Sequence, residues 1–369
     1  MSRPARARID LAALRHNYLA ARRLHGGRAL AVLKADAYGH GALACAEALA
    51  PIADAFAVAF LAEALALREA GIRKPILVLE GVFSAAELER AAQLGLWLVV
   101  HHEEQLRMIE NASLHCARLQ VWLKIDSGMR RIGVPPERVR DFHARLQATG
   151  RVASIALMSH FARADELADP QAREATREQI ARFDAATTEL PGPRSLANSA
   201  GLLAWPEARR DWGRPGLLLY GVDPTGTSPL DLRPVMALTS EVFTERVLAA
   251  GEAMGYGGSF VAERPTRVGI VAIGYGDGYP ARAPTGTPVA VDGRRTRVLG
   301  RVSMDMLAVD LSDLPDAGVG SRVELWGGSV GVAEVAAHAG MLSYELLCNL
   351  KRVPVEPIDA ARALAATGT

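Results

Sequence analysis

Eight short apolar runs are spaced through the first 220 residues, with segments of helical character between them, and this alternation constrains the fold more than any other feature. The runs are Ala29–Leu33, Phe56–Phe60, Ile76–Leu79, Trp97–Val100, Leu119–Ile125, Ile155–Met158, Arg194–Ala197 and Leu217–Tyr220. Between them lie stretches rich in Ala, Leu, Glu and Arg, such as 61–70, 85–94, 136–148 and 171–188. A strand that is apolar on both faces belongs in a parallel sheet covered by helices. Eight such units in series predict a closed (β/α)8 barrel rather than an open sheet.

After Tyr220 the texture changes. Residues 221–235 hold Pro224, Gly226, Pro229 and Pro234 and read as a linker. Beyond them come short β-type runs at Arg267–Ile273, Pro288–Val291, Arg297–Leu299, Leu307–Asp310 and Arg322–Leu325, with turn signals at Asp292-Gly293 and Gly327-Gly328 and a helical piece near 332–340. The expected fold class is therefore α/β: a barrel domain over 1–232, then a smaller, mainly β C-terminal domain over 233–369.

Charge and cysteine usage narrow the class of partner. The 42 basic and 41 acidic residues leave a net charge of +1, which argues against nucleic acid or an anionic membrane surface and for a small-molecule partner. No apolar run reaches bilayer-spanning length, and the basic opening Met1–Arg8 leads into Ile9-Asp10-Leu11 rather than into an apolar signal core. Cys45, Cys116 and Cys348 are odd in number and lack metal-type spacing, so a cytoplasmic protein without a metal site is expected.

Of the 42 basic residues only Lys34, Lys74, Lys124 and Lys351 are lysines. Where a generic positive charge suffices, this chain uses arginine. A lysine that remains is a candidate for chemistry that needs an amine, such as a Schiff base or a carbamate, because a guanidinium stays protonated and is not nucleophilic. In a barrel, active sites are built where strands end at the C-terminal face. The first run ends at Lys34, the fifth carries Lys124 and leads into Arg130-Arg131, the sixth leads to Ser159-His160, the seventh to Asn198-Ser199, and Arg214-Pro215-Gly216 precedes the eighth. Two lysines, a histidine and an arginine thus converge on one rim. Such a set suits pyridoxal phosphate, which needs a lysine, a phosphate site and a partner for its ring nitrogen. Arg214 is the candidate ring partner. Being permanently cationic, it can only donate to that nitrogen, which keeps the ring unprotonated. In the second domain, Tyr275 within Gly274-Tyr275-Gly276-Asp277-Gly278-Tyr279 and the segment Gly300–Asp305 are polar interruptions between β runs.

Taken together, Ala31–Gly41 with its Tyr38-Gly39-His40-Gly41, Lys124–Gly133, Arg214–Gly221, Gly274–Tyr279, Gly300–Asp305, Tyr344 and Arg352-Val353-Pro354 resemble bacterial alanine racemase, over about Ala5 to Pro354. The resemblance implies interconversion of L-alanine and D-alanine by a homodimer whose sites join the barrel of one chain to the β domain of the other. It implies that Lys34 holds the cofactor, as an N6-pyridoxal phosphate lysine, and is the base on one face of the substrate. Tyr275 of the partner chain is then the base on the opposite face, with His160 and Arg214 as a relay behind it. Tyr38, Ser199, Gly216, Leu217 and Tyr344 hold the phosphate, with Asn198 beside them. Lys124 matches a lysine that is often carbamylated and positions Arg131 near the substrate carboxylate, while Met304 and Asp305 match a partner-chain wall. Arg130 and Ser159 depart from the residues common at their positions. The nearest rival is a decarboxylase on a similar barrel and β domain, distinguished by a carboxylate as ring partner; a cofactor carrier made of the barrel alone would lack Tyr275.

Overall fold

The computed structural model describes residues 3–113 and 119–359; Cys116 lies outside them. The chain divides into two compact units. One comprises Leu14–Ala37 and Ala42–Leu232, the other the described parts of Met1–Ala13, Tyr38–Gly41 and Arg233–Thr369.

The first strand, β1 (Arg6–Asp10), belongs to the second of these units, and the next eight belong to the first. These are β2 (Arg28–Val32), β3 (Ala55–Val58), β4 (Ile76–Val78), β5 (Trp97–Val100), β6 (Leu119–Lys124), β7 (Val152–Met158), β8 (Arg194–Ser195) and β9 (Trp212–Gly213). All pairings among them are parallel, in the order β8-β7-β6-β5-β4-β3-β2-β9. The two end strands meet, because the Arg214 N–H donates to the Ala197 carbonyl at 2.9 Å and the Ser195 hydroxyl to the Trp212 carbonyl at 2.7 Å. The sheet is thus closed, as the strand–helix alternation predicts. Helices Leu61–Glu69, Ala85–Gln93, Val139–Ala148 and Pro170–Thr187 occupy the expected connections.

The eighth strand is not where the sequence places it. Leu217–Tyr220 is a 3-10 turn, and the ring closes on the two residues Trp212 and Gly213. All four residues of the turn are at most 2% exposed, so their uniform apolarity reflects burial and carries no period that separates strand from helix. The seventh run likewise shortens to Arg194–Ser195. One consequence is chemical: Arg214 follows a strand instead of preceding one, and so belongs to the C-terminal rim. The opposite half of the interior is filled. Trp97 and Trp122 come from the neighbouring strands β5 and β6 and Trp212 from β9 on the far side of the ring, yet the three rings lie 5.6–6.0 Å apart. They can meet only across the interior, and Trp97 and Trp212 begin their strands, so the aromatic plug leaves the C-terminal face as the open one.

The β-rich unit contains β10 (Met236–Leu248), β11 (Ala253–Met254), β12 (Phe260–Val261), β13 (Thr266–Val271), β14 (Pro288–Val291), β15 (Arg294–Leu299), β16 (Leu307–Asp310), β17 (Arg322–Trp326) and β18 (Val355–Ile358). Its main sheet runs β13-β16-β15-β14-β17-β10-β1-β18, and β10 also pairs with β13 past a bulge at Val242/Thr244, which rolls the sheet on itself. Asp292-Gly293, both at positive φ, turns the β14–β15 hairpin as the sequence predicts. Helix Val332–Ala339 occupies the expected helical piece. Strands β1, β10 and β18 lie outside the uniformly apolar runs by which the sequence is divided, although Arg6–Asp10 carries the apolar–polar alternation of a half-buried strand.

Candidate active site

Lys34 stands two residues past the end of β2 and opens an uncommon piece of backbone. Ala35, Asp36, Ala37 and Tyr38 have φ of 51–54° and Gly39 has 76°, so Lys34–Gly39 is a left-handed turn. L-residues pay roughly 1–2 kcal/mol each for that conformation, and it persists only where surrounding bonds over-determine it. Here they do. The Glu63 carboxylate accepts from the Ala35 N–H at 2.6 Å while also holding Ala59 and Phe60, Asp36 accepts from Ala42 at 2.6 Å, and the Ala37 N–H donates to Leu33 at 2.8 Å. Gly39 closes the turn against the Leu347 carbonyl oxygen, with which any added Cβ would collide. Tyr38, next to it, is buried against Tyr344 with ring centroids 5.7 Å apart, and burial pushes its phenol up, away from ionisation.

The barrel rim carries a cluster of cations. Arg214 is 4% exposed and held by the Ser195 hydroxyl at 2.6 Å, the Ser159 carbonyl at 2.6 Å and the Leu196 carbonyl at 3.1 Å. Burial lowers it to about 10, so it is still cationic near neutrality. Its Nη2 also lies 3.4 Å from His160 Nδ1. A guanidinium has only donors, so a hydrogen bond between the two has Nδ1 as acceptor, which is the neutral tautomer with its proton on Nε2. Neutral is the right form: desolvation, then the charges of Arg214, Lys124, Arg131 and Lys34, hold His160 well below its ordinary range. Lys124 is pushed down to about 8, first by burial and then by Arg214, Arg131 and Lys34 against the pull of the Glu80 carboxylate. Arg131 itself is exposed, beyond a turn in which Asp126 accepts from Gly128 and Arg130, the latter at a φ of 55°. Ser159 donates to the Ile125 carbonyl at 2.8 Å, which leaves Ser127 as the donor of their 2.7 Å pair.

Three further donors suit this rim to an anion with a planar ring. Ser199 Oγ accepts from the Gly216 N–H at 3.0 Å and the Leu218 N–H at 3.3 Å, so its lone pairs are engaged and its hydrogen is free to donate. The Leu217 N–H, first in the 3-10 turn, has no partner within that turn. Among the described residues no hydrogen bond occupies the Nε–H of Arg214, a donor left over on a buried guanidinium. A cationic cup with spare donors and an amine at its edge fits pyridoxal phosphate in charge and in chemistry. Asn198 has a local duty as well: its side chain caps helix Ser199–Ala204 through the Gly201 N–H at 2.9 Å.

In the β-rich unit, Tyr275 is 43% exposed on a 3-10 turn, Tyr275–Asp277, and Met304 is 52% exposed on the loop beside it. The Tyr275 N–H donates to the Ser303 carbonyl at 3.0 Å and the Gly276 N–H to the Met304 carbonyl at 2.8 Å, so the two loops are stitched together, with Asp305 paired to Arg352 at 2.8 Å. The structure thus gathers Lys34, Lys124, Arg131, His160 and Arg214 in one unit, and Tyr275, Met304 and Asp305 in the other. Sequence reading missed Ser195, Glu80 and Asp277. Ser195 had a signal, since it lies two residues before the end of the seventh run.

Among the described residues no cluster of His, Cys, Asp or Glu could hold a metal ion, and no helix is long and apolar enough to cross a membrane. A closed barrel whose open rim presents amines, a neutral imidazole and anion donors defines an enzyme of the barrel type acting on an anionic, amine-reactive group. The class narrows on comparison with known proteins. Residues 9–224 match the model of the alanine racemase N-terminal domain, and residues 235–356 that of the C-terminal domain. The chain is 61% identical over 354 residues to alanine racemase of Aromatoleum aromaticum, covering 96% of this chain and 99% of that one. The crystal structure of biosynthetic alanine racemase from Pseudomonas aeruginosa superposes with a TM-score of 0.92 at 48% identity, over 97% of this chain and all of the other. Alanine racemase from Bartonella henselae with covalently bound pyridoxal phosphate gives 0.85 at 28% identity, over 97% and 99%. The chain belongs to the alanine racemase family.

Proposed function

We propose that this chain is a pyridoxal-phosphate-dependent isomerase that interconverts L-alanine and D-alanine in the cytoplasm, either to supply D-alanine for peptidoglycan or to racemise alanine for catabolism. The barrel, 1–232, is the cofactor-binding domain, and the β domain, 233–369, completes the site of a second chain in a homodimer. The observation that carries this reading is Arg214, a buried cation that has three oxygen acceptors and the His160 ring on one side and a donor to spare on the other.

Bound pyridoxal phosphate supplies an electron sink for the charge left when the α-proton departs. Everything else falls to side chains. Lys34 holds the cofactor and exchanges a proton with one face of the α-carbon, and Tyr275 of the second chain exchanges a proton with the other. Removal on one face and return on the other is what inversion requires. His160, neutral with its proton on Nε2, presents a donor to the Tyr275 oxygen, while Arg214 fixes that tautomer from behind. Arg214 donates to the ring nitrogen and cannot give up its own proton. Ser199, Gly216 and Leu217, with Asn198, Tyr38 and Tyr344, bind the phosphate. Arg131, with the Met304 and Asp305 of the second chain, positions the substrate carboxylate.

The test is a racemase assay of the purified chain over a panel of amino acids, with and without added pyridoxal phosphate. Alanine of either hand should decay to the same equal mixture, faster than any other amino acid. Release of carbon dioxide with formation of the corresponding amine, and no appearance of the opposite enantiomer, would overturn the reading in favour of decarboxylation.

Lys124 gives a separate prediction. A bare ammonium beside Arg131, Arg214 and Lys34 is unfavourable, and with a pKa of about 8 much of the amine is neutral at slightly alkaline pH. A neutral amine takes up carbon dioxide, releases one proton and becomes a carbamate that pairs with Arg131. With 13C-labelled bicarbonate, a carbamate carbon signal should strengthen from about pH 7 to about pH 9, through that pKa of about 8. It should vanish in Lys124→Arg. No signal dependent on Lys124 at the upper pH would contradict the carbamate.

A further inference from the structure

The Gly274–Gly278 turn is tied down from within and from both ends of the chain. Within it, the Asp277 carboxylate accepts from the Gly274 N–H at 3.0 Å, Asp277 N–H donates to the Gly274 carbonyl at 3.0 Å, and Gly278 N–H to the Tyr275 carbonyl at 3.1 Å. Asp277 is completely buried. From the start of the chain Arg3 grips its two carboxylate oxygens at 2.7 and 2.6 Å, a two-pronged pairing that fixes orientation as well as charge. From the other end Arg352 reaches Asp277 at 3.3 Å, the Gly276 carbonyl at 2.9 Å and Asp305 at 2.8 Å, and the Lys351 N–H donates to the Asp277 carbonyl at 2.8 Å. Burial alone would raise the Asp277 carboxyl, but Arg3, the Gly274 N–H and Arg352 together hold it below the ordinary carboxylate range. A Cβ at Gly276 would meet the Arg352 guanidinium, so a side chain there would displace that arm of the clamp.

A charge so deeply buried and so fully partnered is costly unless every partner stays in place, and breaking one such pair typically exposes the whole penalty. The turn it organises is otherwise only five residues long, and three of them are glycine. Such a segment has little rigidity of its own. The only large side chain it presents outward is the phenol of Tyr275, 43% exposed.

We infer that Asp277, clamped by Arg3 and Arg352, is a positioning residue that fixes the aim of Tyr275. The inference rests on the two-base reading above, in which Tyr275 is the proton carrier for one face only. A residue that merely supports the fold would, when altered, lower all activity together. A residue that aims Tyr275 should separate the two faces. With Tyr275 misplaced, a proton removed by Lys34 can be returned only by Lys34, so in deuterium oxide the α-position should gain deuterium with retention of configuration.

The experiment compares wild type with Asp277→Asn, which keeps shape and an acceptor but removes the charge, and with the surface-side double variant Arg3→Gln/Arg352→Gln. Because displacement of a reacting group by about 1 Å costs on the order of 100-fold, kcat should fall about 10- to 100-fold with KM within about threefold. For the enantiomer whose proton Lys34 removes, the ratio of exchange with retention to inversion should rise about tenfold. Independently of activity, amide hydrogen exchange over 272–280 should quicken in both variants while the rest of the β-rich unit is unchanged. If Asp277→Asn does not fold, the arginine double variant carries the test. An unchanged exchange-to-inversion ratio with unchanged local amide protection would overturn the inference. A wild-type protein that inverts no alanine would instead overturn the two-base reading beneath it.

Discussion

Lys34→Ala should abolish racemisation, with a fall of at least about 10,000-fold, because one substitution removes both the anchor of the cofactor and the base of one face. No neighbouring amine can take over. Lys124 is the only other lysine that acts on the same cluster, and it is 6% exposed among arginines that oppose its charge. Folding should survive, since Lys34 is only half-buried and the left-handed turn after it is held by Glu63 and Asp36 rather than by the lysine side chain. A variant that folds, binds pyridoxal phosphate without the covalent link and keeps more than about a hundredth of the activity would contradict the role of Lys34.

Tyr275→Phe should be almost as severe, about 1,000-fold or more, since the general base of the other face is lost and no compensating group is present on its turn. The phenyl ring keeps the packing, so stability should change little at a position 43% exposed. The more informative use of this variant is in combination. Unfolded together with Lys34→Ala at equal amounts and refolded, random pairing makes about half of the dimers mixed. If Tyr275 serves the barrel of the other chain, a mixed dimer has one site with both lesions and one intact, and about a quarter of wild-type activity returns. If both residues came from one chain, every site would keep a lesion. No recovery in a sample shown by mass spectrometry to contain mixed dimers would rule out the shared site.

The barrel was legible because strands buried on both faces leave uniform apolar runs, and Phe56, Ile76, Trp97 and Ile155 stand in such runs. The same uniformity misled at Leu217–Tyr220, where a buried helical turn has the composition of a buried strand. Lys34 and Lys124 could be singled out by the scarcity of lysine, and His160 and Arg214 by their places after strand-like runs. Their supports could not. Arg3 and Asp277 meet across 274 positions, and Arg214 and Ser195 across 19, and nothing in the local pattern of either segment announces the other. The left-handed turn was equally silent: Ala-Asp-Ala-Tyr has ordinary helical composition, and only the bonds to Glu63, Asp36 and Leu33 reveal why the opposite hand is kept.

The most direct measurement is borohydride reduction of the holoenzyme, followed by proteolysis and mass mapping of the pyridoxyl group. It should be found on the peptide containing Lys34, in close to one copy per chain, and be absent from peptides containing Lys74, Lys124 and Lys351. A pyridoxyl group on any of those three lysines, with Lys34 unmodified, would contradict the placement of the cofactor at the β2 rim and with it the division of labour between Lys34 and Tyr275.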